Sequence, residues 1–283
     1  MWPTLFRIGD FEVTTFGLMM FLGFVVGGYI LTVQFRKYSL PEEVASSIVL
    51  AGAIGGILGG KIYYAALYQD WTSLYSRGGL VWYGGFAGGF LAASWVVLRS
   101  KVPYFRAADA ASPAIAMGYC LGRIGCFLVG DDYGRPTDGP LGIAFPRGVP
   151  PTTADELRNF GVAVDPSIPA DTVLKVHPTQ LYEAGAAFLI FFILMRASKR
   201  PHPRGQVFAL FLVLAGIERF LVEILRAKDD RFLGPFTIAQ LISVVLVTIG
   251  IGLLLARRTA PLDQEGVAAE SAPARAQARK RRA

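Results

Sequence analysis

Charge is what this chain has least of. Only 17% of its 283 residues are Asp, Glu, Lys or Arg, while 53% are hydrophobic. A soluble domain carries nearer a quarter charged residues, so the balance excludes an ordinary water-soluble globule and points to a polytopic membrane protein. Cysteine is nearly absent as well. Cys120 and Cys126 share one apolar stretch without C-x-x-C spacing, which gives neither a disulfide framework nor a zinc signature. Histidine occurs only as His177 and His202. No basic region precedes the first apolar run, and Arg7, Asp10 and Glu12 interrupt the residues before it, so no cleavable signal peptide is expected. The two halves of the chain show no internal repeat of the kind many transporters carry.

What the chain has in abundance is apolar length. Seven stretches reach the roughly 20 helical residues needed to cross a bilayer core, near 15–34, 44–67, 80–98, 107–128, 179–195, 207–225 and 236–255. The expected fold class is therefore all-α, with seven transmembrane helices. The second, third and fourth stretches are rich in Gly and Ala, with Gly52, Gly55, Gly56, Gly59 and Gly60, then Gly84, Gly85, Gly88 and Gly89. Small residues at these spacings let helix backbones approach closely, which predicts a packed centre built on these helices. Alternatively, some of them permit a bend beside a cavity.

The basic residues give the orientation. One set of connections holds Arg36 and Lys37, then Arg99, Lys101 and Arg106, then Arg196, Lys199, Arg200 and Arg204, and finally the tail with Arg257, Arg258 and five more from Arg275 on. The alternate set is sparser and diluted by Asp and Glu. The positive-inside rule then places the N-terminus outside and the C-terminus inside. Residues 1–258 are read as the seven-span domain, and residues 259–283 as a basic, disordered cytoplasmic tail near anionic lipid. The segment near 130–176, rich in Pro, Gly, Asp and Thr, forms a small lobe on the outer face.

Charges inside the spans are few: Lys61, Arg123 and Arg219, with Asp109, Glu183, Glu218 and Glu223. Each costs a few kcal/mol at mid-membrane and so implies a partner or a function. Arg123 and Arg219 both fall in the outer halves of their spans. Glu223 and Arg226 follow Arg219 at i+4 and i+7, which predicts one shared helical face. A guanidinium stays charged and grips phosphate with a two-pronged fork, so paired arginines at lipid depth suit an anionic phospholipid headgroup. A structural Arg219–Glu223 pair is compatible with that role. His202, in K-R-P-H-P-R, reads as a solvated loop residue, and His177 opens H-P-T-Q-L-Y-E at the outer end of the fifth span.

Three motifs combine in order: G-R-I-G-C-F-L-V-G-D-D-Y-G-R-P-T-D from Gly122, H-P-T-Q-L-Y-E from His177, and E-R-F-L-V-E-I-L-R from Glu218. Together with G-L-M-M-F-L-G-F, G-G-K-I-Y-Y and R-G-G-L-V-W-Y-G-G-F-A-G-G in the first three spans, they resemble the prolipoprotein diacylglyceryl transferase family over residues 15–256. The resemblance implies a multi-pass enzyme of a bacterial inner membrane whose lobe is periplasmic. Its partners would be phosphatidylglycerol, preprolipoprotein signal peptides with a lipobox cysteine, and membrane lipid, with no nucleic acid, no cofactor and no metal. Such an enzyme moves the diacylglyceryl group of phosphatidylglycerol to the cysteine thiol, forming a thioether and releasing glycerol phosphate. By the same resemblance Arg123 and Arg219 hold the headgroup and its leaving phosphate. Gly130, Asp131, Gly134 and Arg135 match the first motif, His177, Gln180, Tyr182 and Glu183 the second, Glu223 and Arg226 the third, and Asp109 the acid ahead of the first.

The chain departs from the family pattern at Tyr83, where a histidine proposed as base is common, and at Cys126, Ala215 and Phe16, where Asn, Tyr and Tyr are common. An inactive lipid- or lipoprotein-binding paralogue is the competing reading, and a transporter, suggested by the glycine-rich spans and buried charges, a third. Chemistry favours retained activity. A free thiol titrates near pH 8.5 and cationic neighbours lower that value, so two arginines supply much of the activation and also stabilise the leaving group. A phenol ordinarily titrates near pH 10 and makes a poor base, though it donates or accepts a hydrogen bond. Tyr83 and His177 are accordingly the two candidates for handling the thiol proton.

Overall fold

The structure is a computed structural model that describes residues 3–9, 11–76, 79–228 and 231–263. Among these, seven helices have 18 residues or more. They are α1 (Thr15–Lys37), α2 (Glu42–Tyr68), α3 (Trp82–Arg99), α4 (Tyr104–Val129) and, after the short α5 (Ala154–Asn159), α6 (Thr179–Ser198), α7 (Gln206–Glu223) and α8 (Ile238–Arg257). Each long helix coincides with one of the seven apolar stretches to within a few residues. Five of them, α1, α2, α4, α6 and α8, are long and apolar enough to cross a membrane. The other two are diluted, α7 by Glu218, Arg219 and Glu223, and α3 by four glycines. Large apolar side chains point outward along the helices: Phe21, Leu50, Leu189 and Leu98 are each more than 60% exposed. An apolar surface of that extent is stable only against lipid or another apolar partner.

The all-α expectation holds for everything long but omits three short antiparallel strand pairs, of which the first and third are hairpins. β1 (Thr4–Ile8) pairs with β2 (Phe11–Thr14), β3 (Ile143–Ala144) with β4 (Lys175–Val176), and β5 (Arg231–Leu233) with β6 (Phe236–Thr237). The first and third turn through glycines in the left-handed region, Gly9 and Gly234, which relieves the steric cost of a tight reversal. α8 starts from β6 through a reciprocal cap. The Thr237 hydroxyl accepts from the Gln240 amide at 3.2 Å, and the Gln240 side chain accepts from the Thr237 amide at 3.1 Å.

The chain divides into two units. The first comprises residues 1–27, 112–200 and 206–260. In it α4 packs on α6 through Cys120, Ala184 and Ala187, while Ile190 and Leu194 of α6 meet Val207. α7 and α8 approach through Gly216 and Gly250, whose missing side chains leave room for Ser243 and Ala209 carbonyls. The lobe near 130–176 has a core of its own, Tyr133, Phe145, Leu157, Val162 and Val176, joined by Ala227. There the Tyr133 ring stacks on Phe145 at 5.8 Å.

The second unit comprises the described residues among 28–111, 201–205 and 261–263. Its centre is the α2–α3 pair, and it confirms the close approach expected of the glycines. A Cβ on Gly88 would stand 2.3 Å from the Gly55 carbonyl oxygen and 2.9 Å from the Gly59 Cα. Backbone atoms cannot yield at such distances, so Gly88→Ala is expected to lower the thermal midpoint in detergent, by overpacking worth roughly 1–3 kcal/mol. Gly52→Ala is the control, because nothing lies within 4 Å of its Cβ position. An equal loss in both variants would contradict the close-packing account.

The second unit also corrects the expectation for His202. It is 8% exposed, not solvated: Nε2 lies 3.1 Å from the Tyr38 hydroxyl and 3.9 Å from Asp109 Oδ2. Asp109 is itself 1% exposed and accepts from the Gly205 amide at 2.6 Å. The prolines either side of His202 break the helix, so the loop turns back into protein and buries its imidazole. Lys61 donates to the Ser73 and Ser76 carbonyls, at 3.0 and 2.5 Å, closing the 3-10 turn at Trp71–Tyr75. Of the tail after α8, Asp263 is paired with Arg106 at 2.6 Å and with Arg204 at 3.4 Å. Burial works against that charge, but the arginines hold its carboxyl below the usual range. The remainder of the expected basic tail, from residue 264 on, lies outside the described residues.

Candidate active site

Arg123 sits near the end of α4, one turn after Tyr119 and one before Cys126, and its guanidinium is used on every edge. Nε donates to the Tyr119 hydroxyl at 3.1 Å and lies 2.8 Å from Glu183 Oε2. Nη2 donates to Glu183 Oε1 at 3.0 Å, and Nη1 to Asp132 Oδ2 at 2.9 Å. Cys126 Sγ is 3.7 Å from Nη1. Glu183, on the first turns of α6, is fully buried and takes a further hydrogen bond from Tyr119 at 3.0 Å. A carboxylate can be buried this completely only where cations and donors surround it.

The second arginine reaches the same carboxylate. Arg219 of α7 places Nη1 3.7 Å from Glu183 Oε1 and Nη2 2.5 Å from Glu223 Oε2. Arg123 and Arg219, more than ninety residues apart in sequence, thus converge on Glu183. Arg219 Nη1 is buried and makes no hydrogen bond with a described residue. Its donor capacity is therefore incompletely used.

Arg226 reaches this cluster by a different route from the one expected. α7 ends at Glu223, and Arg226 lies in the turn beyond, bridged to Gly134, so it does not continue the helical face of Arg219. Helical hydrogen bonding stops because the chain there pairs with the loop after α4: the Arg135 amide donates to the Leu225 carbonyl at 2.7 Å. The Arg226 guanidinium instead pairs with Asp132 Oδ1.

The other residues of the first two motifs form the framework under these charges. Gly130, with φ +81°, turns the chain out of α4. Gly134 is required by crowding, since a Cβ there would stand 2.7 Å from the Leu225 carbonyl oxygen and 2.8 Å from His177 Cβ. Its amide donates to the His177 carbonyl at 2.8 Å, and the His177 amide returns to the Arg135 carbonyl at 3.0 Å. Arg135 also donates from Nε to the Arg226 carbonyl at 3.3 Å. The half-buried His177 ring has Nδ1 3.4 Å from the Tyr182 hydroxyl. Gln180 is fully buried and donates to the Asp131 carbonyl at 2.5 Å, while the Thr179 hydroxyl donates to the Asp132 carbonyl at 3.0 Å. Tyr83 belongs to the second unit, on the first turn of α3, with its ring against Trp82 and 44% exposed.

The two adjacent aspartates divide their work. Asp132, which the motif match does not single out, is the partner of Arg123 and Arg226. Burial disfavours its charge, but Arg226 and Arg123 hold its carboxyl below the usual range. Burial and the neighbouring Asp132 push Asp131 up to about 6. Its Oδ1 and the Gln180 Oε1 are buried acceptors with no hydrogen-bond partner among the described residues. A raised carboxyl destabilises the fold as pH rises from the unfolded value near 4 through about 6, because the native state must give up a proton it prefers to keep. The thermal midpoint of Asp131→Asn, minus that of wild type, is accordingly expected to grow between pH 4 and pH 7. A difference independent of pH would show that the Asp131 carboxyl titrates alike in the folded and unfolded chains.

Asp132, Glu183 and Tyr119 are the residues whose part in this cluster was not foreseen. The adjacent acids of D-D gave no basis for choosing between them, and Tyr119 reads as an ordinary aromatic in an apolar span. Among the described residues, no three His, Cys, Asp or Glu side chains form a group suited to a metal ion.

Comparison with known proteins bears on this arrangement as a whole. Residues 3–256 match the family model described as prolipoprotein diacylglyceryl transferase. The chain is 34% identical to the phosphatidylglycerol–prolipoprotein diacylglyceryl transferase of Geobacter sulfurreducens over 274 residues, covering 90% of this chain and 96% of that one. Similar relatives of the same name come from Vibrio atlanticus, 32% identical with 89% of each chain covered, and Vibrio cholerae, 31% identical with 95% and 96% covered.

Proposed function

The chain belongs to the prolipoprotein diacylglyceryl transferase family, and we propose that it transfers the diacylglyceryl group of phosphatidylglycerol to the lipobox cysteine of a preprolipoprotein. The observation that carries the assignment of the site is the convergence of Arg123 and Arg219 on the buried Glu183. The reaction explains why such a site is needed. The peptide thiol loses its proton, the thiolate sulfur forms a C–S bond to the glyceryl carbon, and the C–O bond to phosphate breaks. The diester, with one negative charge, departs as glycerol phosphate with two. Charge therefore accumulates on phosphate as the bond breaks, and fixed guanidiniums favour the transition state over the bound lipid.

The remaining residues have supporting parts. Glu183 and Glu223 hold the two guanidiniums in place, so that little reorganisation is needed when the phosphate arrives. The unpartnered Asp131 and Gln180 oxygens suit the hydroxyls of the glycerol headgroup, since a buried acceptor without a donor costs about 1–3 kcal/mol. Gly134, Arg135, Tyr182 and Arg226 form the wall of that site, and His177 takes the thiol proton.

In the membrane we place seven spans, α1–α4 and α6–α8, with the N-terminus and the lobe near 130–176 on the periplasmic side of a bacterial inner membrane. Basic residues at the cytoplasmic ends, Arg36 and Lys37, Arg99 and Lys101, and Arg196, Lys199 and Arg200, support that orientation. Residues 1–258 then form the transferase domain and 259–283 a cytoplasmic tail. Purified protein, phosphatidylglycerol and a lipobox peptide are expected to yield the thioether peptide and glycerol phosphate in equal amounts. No product under conditions where a relative is active would leave the inactive-paralogue reading, which Tyr83 in place of histidine motivates.

A further inference from the structure

The arginine cluster already holds an anion, and it is the protein's own. Asp132 offers one carboxylate oxygen to each of two guanidiniums, Oδ2 to Arg123 Nη1 at 2.9 Å and Oδ1 to Arg226 Nη2. Two adjacent anionic oxygens shared between two guanidiniums are also what a phosphate diester would present there. Exposure separates the parts of this clamp: the arginine side chains are 11% and 13% exposed, and that of Asp132 is 44%. The carboxylate is thus the outermost piece, lying over cations that are otherwise buried. Arg123 has a second carboxylate partner, but Glu183 is fully buried on α6 and cannot leave without unpacking a helix. Asp132 lies on the loop after α4, with a left-handed backbone, φ +54°. Aspartate tolerates that conformation better than most residues, but it is not the chain's preferred one. Of the two carboxylates on Arg123, Asp132 is the one free to swing away.

We propose that Asp132 is a displaceable internal counterion whose carboxylate occupies the Arg123 side of the lipid phosphate's seat, yields it to the incoming phosphatidylglycerol, and returns to expel glycerol phosphate. This deepens the transferase reading of the same site and rests on it. While the seat is empty, the carboxylate keeps Arg226 from standing uncompensated and shares the charge of Arg123 with Glu183. After transfer, it competes with a product that binds more strongly than the substrate did, because the product carries the extra negative charge.

The test is a titration of the purified full-length protein in detergent with glycerol phosphate, which reads the seat without requiring transfer. Asp132→Asn removes the competing charge at nearly constant shape and is expected to bind glycerol phosphate about 10-fold more tightly than wild type. Asp132→Glu keeps the charge and is expected to stay within about 3-fold of wild type. In turnover, Asp132→Asn should lower both the KM for phosphatidylglycerol and kcat, the latter through slow product release. A merely structural tie between loop and turn would move neither in that pattern. Binding by Asp132→Asn no tighter than wild type, in a variant whose thermal midpoint is retained, would overturn the proposal. If the midpoint of Asp132→Asn falls, Asp132→Ser provides the same comparison. Normal transfer with no gain in binding overturns the counterion alone, whereas gain in binding without transfer in any variant keeps the seat and overturns the transferase reading.

Discussion

Arg123→Ala is expected to reduce transfer by at least about 10³-fold, and Arg219→Ala by a comparable factor. Removing one well-placed donor to developing negative charge typically costs about 10²–10³ in rate, and each of these residues offers several donors and a full charge. Arg123→Lys should fall between, because an ammonium restores the charge but not the planar fork that meets Glu183 and Asp132 together. The competing account is that Arg123 only stabilises the bundle. Its loss does take from the fully buried Glu183 its nearest cation, and breaking a buried pair costs about 3–5 kcal/mol. The double variant Arg123→Ala with Glu183→Gln separates the two. It is expected to recover thermal stability while remaining inactive; recovery of transfer along with stability would make Arg123 structural and remove the two-arginine site.

The parts of this molecule legible in its sequence are those fixed by single, strong energies. Helices α1–α4 and α6–α8 follow from apolar length, because a backbone in hydrocarbon must satisfy its own hydrogen bonds. The α2–α3 contact follows from glycine spacing, since only hydrogen-sized side chains let the Gly59 and Gly88 backbones meet. Arg123 and Arg219 stand out because each is too costly in an apolar run to be incidental. What sequence did not disclose depends on where the chain turns. Arg226 looks like one more helical position, but cross-pairing with Gly134 ends the helix first and redirects the guanidinium to Asp132. His202 reads as a solvated loop residue, yet the prolines around it fold the loop onto Tyr38 and Asp109. Glu183 was visible as an intramembrane acid, but not as the carboxylate shared by both arginines. That role depends on the rotation of three helices about their axes, and a single sequence leaves such rotations open.

The proton on the substrate thiol sets the second large effect. A thiol with its ordinary pKa near 8.5 is about 3% ionised at pH 7, so a base that removes its proton can contribute at most about 30-fold there. Nearby arginines lower the thiol's pKa and reduce that share. Of the two candidates, His177 is anchored where the arginine cluster is built. Its main chain is clasped by Gly134 and Arg135, and Thr179, two residues on, donates to the carbonyl of Asp132. An imidazole changes charge near neutrality, as a base for this step requires, whereas a phenol holds its proton too tightly. His177→Ala is therefore expected to lose about 10–30-fold in transfer at pH 7, and Tyr83→Phe less than about 2-fold. The loss in His177→Ala should shrink to within about 3-fold by pH 9, where the peptide thiol ionises without assistance. Rate profiles of the three proteins against pH, with one lipobox peptide, provide the check. A loss in His177→Ala that is the same at every pH would assign the imidazole to positioning through Tyr182. A pH-dependent loss confined to Tyr83→Phe would move the proton to α3, and the aromatic departure from the family pattern would then be part of the chemistry.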